Sequence, residues 1–143
     1  MESLVQLLTA LIGSLGFALL FGLRRRYVVP AALGGMLCWG VYLLLSRVLT
    51  SNFLSCLAAS ACSVVYAELL ARVLHTPATV FMIPAVIPLV PGSSLYYAMS
   101  CVVQRDFAAA RDYGMTTLEF SLAIAAGMSF ALAFRELRTR RMK

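Results

Sequence analysis

The sequence predicts an all-α polytopic membrane protein with five transmembrane helices, the fourth interrupted at a Pro-Gly break. Three observations predict it. The 143 residues are 62% hydrophobic and only 13% charged, whereas a soluble domain is about a quarter charged. Apolar stretches of about 20 residues, the length that spans a bilayer, follow one another with short polar turns between them. The stretch 77–99, PATVFMIPAVIPLVPGSSLYYAM, is long enough to cross but carries Pro77, Pro84, Pro88 and Pro91, with Gly92 directly after. Proline lacks a backbone donor and clashes with the preceding turn, so a regular helix does not pass Pro91-Gly92 intact.

The first span covers about 4–23. Ala10, Ser14 and Ala18 recur every four residues and line one face with small side chains, which lets helices approach closely in lipid. The only charge before Arg24 is Glu2, and the apolar run ends in Arg24-Arg25-Arg26. A cleaved signal peptide has the opposite layout, so this reads as a retained span. The second span covers about 29–49. Pro30 falls in its first turn, where helices tolerate proline, and Gly34, Gly35 and Gly40 thin one side. Trp39 lies too deep for an interfacial anchor and reads as a packing residue.

The third span covers about 53–74, with a ladder of Ser55, Ala59, Ser63, Ala67 and Ala71. Glu68 and Arg72 sit at i and i+4, the favourable order for a pair on one face. The fourth span covers about 78–103, broken near 91–92. Residues 106–113 favour a helix that can run into the fifth span, about 115–134, with Gly114 as a bend. That span carries two small sets, Ser121, Ala125, Ser129, Ala133 and Ala123, Gly127, Ala131. A basic tail, 135–143, follows. The whole chain reads as a single transmembrane domain.

Charge placement orients it. Five spans put Arg24, Arg25, Arg26, Arg72, Arg135, Arg138, Arg140, Arg141 and Lys143 on one side, and Arg47, Arg105 and Arg111 on the other. This positive-inside asymmetry places the N-terminus outside and the C-terminus in the cytoplasm. A re-entrant hairpin in place of the fourth span would put the basic tail outside, so an interrupted crossing is expected. The net charge of +6 is explained by these flanks, and no basic face points to nucleic acid. Cys38, Cys56, Cys62 and Cys101 lie in apolar stretches without a CxxC or Cys/His cluster, so neither a disulfide framework nor a metal site is expected.

Broken backbone survives in lipid only where protein buries it or where it lines a cavity. A helix starting at Gly92 leaves its first N–H groups unpaired and carries about half a positive charge at that end. Gly92, Ser93 and Ser94 therefore form a candidate carboxylate site; the alternative is that Ser93 simply caps the helix. Tyr96, four residues from Gly92, and Tyr97 are candidate hydrogen-bonding partners. Glu68 is a candidate for proton transfer or for a substrate ammonium. The alternative is a pair with Arg72 that snorkels to the surface. Glu119 is a third charge candidate, one turn into the last span, where the dipole alone also favours an acid. No phosphate loop, dinucleotide fingerprint or metal-ligand pair occurs. The chain does not read as an enzyme, and no cofactor is expected.

The run 68–99, ELLARVLHTPATVFMIPAVIPLVPGSSLYYAM, resembles the bacterial threonine/serine exporter family. More narrowly, it is similar to the small C-terminal-type module of a split two-subunit exporter. The resemblance extends over most of the chain through the five-span layout, the PxxPLVPGSSLYY core and the basic C-terminus. It implies export of threonine and serine, or of a dicarboxylate such as succinate, driven by the proton gradient. It also implies a bacterial plasma membrane location. As partners it implies a larger membrane subunit resembling the family's N-terminal module, a homo-oligomer, or both. Carried over by position, the motif falls on Pro91, Gly92 and Tyr96, with Glu68, Arg72 and Pro77 upstream. The residues alone leave a second reading open: a non-transporting membrane subunit that stabilises or regulates a partner channel or transporter.

Overall fold

The computed structural model describes residues 2–141, with side chains described to residue 137. The side chains of Arg138, Arg140, Arg141 and Lys143 lie outside the described residues. Every regular element among the described residues is helical. These are α1 (Glu2–Leu20), α2 (Arg25–Val48), α3 (Asn52–Leu74), α4 (Thr79–Val86), a 3-10 turn (Ile87–Leu89), α5 (Gly92–Val103) and α6 (Phe107–Arg141). Four of them, α1, α2, α3 and α6, are long and apolar enough to cross a membrane. The fifth candidate crossing is the pair formed by α4 with its 3-10 turn and α5, bent by 50° at the break.

Local chemistry explains the boundaries. Gly22, at φ 65°, ends α1 in a left-handed turn, and the Leu23 N–H bonds the Ala18 carbonyl. The Asp106 carboxylate accepts the Ala109 N–H at 3.1 Å and caps α6. The last helix therefore begins at Phe107 and runs on through the expected span, and Gly114 lies within it rather than at a bend. Pro84 also departs from the expected break. It sits inside α4, and Pro88 falls in the 3-10 turn. The chain leaves helical geometry at Val90, where ψ is 123°.

Contact registers settle the direction of each helix. On α2 and α3, Pro30 meets Tyr66 and Cys38 meets Ala59, so they are antiparallel. On α2 and α4, Tyr27 meets Phe81 and Gly34 meets Ala85, so they are parallel. On α5 and α6, Tyr97 meets Tyr113 while Ser94 and Phe120 line one cavity, so they are antiparallel. On α3 and α6, Cys56 meets Phe120 and Glu68 meets Arg135, so they are parallel. A hairpin between α3 and α6 would leave them antiparallel. The broken segment therefore travels once, from the Glu68 end toward the opposite end.

Small residues make the packing. Ala10, Ser14 and Ala18 of α1 are buried, as are Ser55, Ala59, Ser63 and Ala67 of α3. On α6 the two small sets separate. Ala123 and Gly127 are buried, whereas Ser121, Ala125, Ser129 and Ala133 are exposed. A Cβ at Gly127 would collide with the Ser60 hydroxyl and the Leu57 carbonyl of α3, and one at Gly35 with the Ser14 hydroxyl of α1. Two apolar clusters result. One joins Ala18, Ala31, Ala67 and Phe81, and the other joins Cys38, Ala59, Leu89 and Ala123.

Substituting Gly127→Val should lower the melting temperature of the detergent-solubilised protein, by a destabilisation of about 1–3 kcal/mol, because its obstacle includes backbone. Gly114→Ala should not lower it, since a Cβ there meets nothing within 4 Å and alanine favours helix. Equal melting of the two variants would contradict the α3–α6 contact.

Candidate functional site

The break is flanked by two cavities that share Trp39 and Pro88. One, of about 230 Å³, is lined by Gln6, Thr9 and Ala10 of α1 together with that pair. The other, of about 170 Å³, is bounded by Tyr42, Phe120, residues 89–91, Ser93 and Ser94. The aromatic wall is continuous: Trp39 and Tyr42 lie 5.1 Å apart, and Tyr42 and Phe120 lie 5.9 Å apart.

The amides at the start of α5 are not equivalent. The Gly92 N–H bonds the Val90 carbonyl at 2.8 Å, and the Leu95 N–H bonds the Pro91 carbonyl at 3.1 Å. Ser93 and Ser94 lie between these two and precede the i→i−4 ladder. They supply the unpaired donors of a helix start, and both line the 170 Å³ cavity. No side-chain cap bonds this helix start, so Ser93 is not held as a cap. Gly92 itself is exposed, and a Cβ there meets nothing within 4 Å. Tyr96 shares that open face, at 69% exposure, and lines none of the cavities described here. Tyr97 turns toward α6, with its ring 5.5 Å from Tyr113.

The acids are divided between two levels. Glu119 lies at the level of the break and within electrostatic reach of Tyr42. Glu68 lies twelve residues along α3 from Cys56, about 18 Å at 1.5 Å per residue, at the far end of α4. It does not pair with Arg72. Its Oε1 accepts from Arg135 Nη1 of α6 at 3.0 Å. Glu68, Arg72 and Arg135 line a third cavity, of about 430 Å³, together with Thr76, Pro77 and Ala78. None of these three cavities, all lined by described residues, holds both Glu68 and Tyr96.

Sequence reasoning missed Trp39, Tyr42 and Phe120. The Trp39 indole N–H is buried without a hydrogen-bond partner. A signal was present: a lone tryptophan deep in a span brings an N–H that needs a partner. Trp39→Phe keeps an aromatic wall but removes ring volume along with a donor that bonds nothing, so it should lower the melting temperature less than Trp39→Ala does. Trp39→Ala should destabilise the protein by about 3 kcal/mol through lost packing. Equal drops for the two variants would contradict a packing role for the aromatic ring at this position.

Comparison with known proteins adds the family. The model described as Threonine/Serine exporter, ThrE, matches residues 6–134. No curated protein and no solved structure matches the chain. The matched region takes in α2 to α5 whole, most of α1 and the crossing part of α6, and with them both cavities at the break. By that match across nearly its whole length, the chain belongs to the threonine/serine exporter family.

Proposed function

We propose that the chain is the small membrane subunit of a secondary exporter for small carboxylate-bearing metabolites, with threonine and serine as first candidates and a dicarboxylate such as succinate as second. The observation that carries this reading is the broken crossing, with two cavities that share Pro88 and with Ser93 and Ser94 lining one of them. The substrate carboxylate docks at the amides of those two serines, where the positive end of α5 favours an anion. The unpaired Trp39 N–H is the third donor. Glu119, the acid at this level, handles the coupled proton. Arg72 and Arg135 share one end of the bundle, so the positive-inside rule puts that end in the cytoplasm of a bacterial plasma membrane.

A larger membrane subunit resembling the family's N-terminal module is the proposed partner. The exposed ladder Ser121, Ala125, Ser129 and Ala133 favours it, because small faces let a neighbouring helix approach closely. The same face suits a non-transporting subunit that stabilises its partner, and transport assays separate the two readings.

The test is efflux of labelled serine, threonine or succinate from cells holding the chain with and without the candidate partner. Ser94→Leu, which puts a larger apolar side chain at the wall of the 170 Å³ cavity, should reduce efflux to background while membrane insertion stays unchanged. Unchanged efflux would overturn the site at the break. Absence of efflux with the partner present would favour the stabilising role.

A further inference from the structure

The cavity at the Glu68 end lies away from the break, where α3 ends and α4 begins. At about 430 Å³ it falls within the size range of small-molecule sites, about 300–1,000 Å³. We propose that it binds the phosphate of an anionic phospholipid, with Arg72 as the principal contact. The proposal needs only the membrane setting of the bundle and holds or fails apart from the exporter reading.

The charges favour a phosphate with one net negative charge. Glu68 and Arg135 line the cavity as a pair 3.0 Å apart, so together they add no net charge. Arg72 lines the same cavity, is exposed and makes no ion pair with a described residue. Its guanidinium fork matches the oxygens of a phosphate. Ala78, which also lines the cavity, immediately precedes α4. The Val80 N–H is the first after Pro77 to bond back, to the Pro77 carbonyl at 3.2 Å. The Ala78 and Thr79 amides therefore precede the helix ladder and bond no backbone carbonyl. They add donors to the charge that Arg72 supplies. A zwitterionic lipid brings a cation of its own, for which the acid of this cavity is already taken by Arg135.

Position makes the phosphate a lipid's. Arg72 lies in the last turn of α3, at the end of an apolar helix long enough to cross. Long cationic side chains near a span end reach headgroup level, and basic pockets between spans at that level take anionic headgroups. Apolar surface adjoins the charges. Leu69 and Val73 of α3 follow Glu68 and Arg72 in sequence, Leu132 of α6 lies three residues before Arg135, and all three are exposed. A phospholipid seated in the cavity runs its acyl chains along them, which a soluble phosphate cannot do.

The test is lipid binding by the full-length chain in detergent, titrated with phosphatidylglycerol or with phosphatidylcholine of the same acyl chains. Native mass spectrometry and melting temperature read it. Phosphatidylglycerol should stay bound and raise the melting temperature more than phosphatidylcholine does. Arg72→Gln should weaken phosphatidylglycerol binding about tenfold, the value of one charge-assisted hydrogen bond, and leave phosphatidylcholine binding unchanged. Arg47→Gln is the control. Arg47 bonds Ser3 near the start of α1, at the opposite end of the bundle, and its variant should bind phosphatidylglycerol as the wild type does. Equal phosphatidylglycerol affinity in wild type and Arg72→Gln overturns the site. An equal loss in Arg47→Gln overturns it in favour of general attraction between cations and anionic lipid. Displacement of phosphatidylglycerol by equimolar inorganic phosphate overturns the lipid in favour of a soluble phosphate. None of these readouts involves efflux, so failure of the exporter reading leaves them unchanged.

Discussion

A backbone carbonyl inside a membrane must be bonded or enclosed, and the rest of this structure depends on that constraint. Prolines four residues apart violate the helix ladder twice on one side. The donor for the Val80 carbonyl would be residue 84, and the donor for the Pro84 carbonyl would be residue 88; both are proline. The chain answers with thin neighbours. Gly35 of α2 brings its backbone so close that a Cβ there would lie 3.4 Å from the Pro84 carbonyl oxygen, and Ser14 of α1 fills the space that such a Cβ would take. The small faces of α1 and α2 are therefore the enclosure that a proline-rich half-helix requires. Phe81, Pro84, Ala85 and Val86 are buried as a result.

Enclosure is uneven along the broken crossing. The α4 half is held by α2 and α3, whereas α5 packs on α6 and buries only Ala98 among its own side chains. This leaves the start of α5 accessible, with two amides that no backbone carbonyl takes. It also leaves Gly92 and Tyr96 on an open face. The same segment is thus sealed where its carbonyls are freed and open where its amides are freed. That asymmetry suits an anion site better than a cation site.

The α3–α6 seam organises the charges. Buried alanine, serine and glycine let the two helices run parallel in close contact, and the register of that contact brings residue 135 to residue 68. Glu68 thereby gains a partner on another helix instead of the one a turn away. The acid left near the break is Glu119. The two acids lie at two levels of the molecule, toward opposite ends of α4.

The sequence by itself determined the membrane class, the long apolar helices, the buried ladders of α1 and α3, and the break, because those follow from hydropathy, small-residue period and proline chemistry, all local properties. It also carried the family, through the motif around Pro91 and Gly92. The site was legible only in part. Helix-end physics points to Ser93 and Ser94, which line a cavity at the break, whereas helical period alone points to Tyr96, and period says which residues share a face without saying what that face meets. Trp39, Tyr42 and Phe120 come from two helices far apart in sequence. Only the tertiary structure could decide that they wall the break, that Ser121 and its ladder stay open while Gly127 is buried, and that Glu68 pairs with Arg135. Each of these depends on the rotation and register of one helix against another, which the packing of many small contacts sets at once.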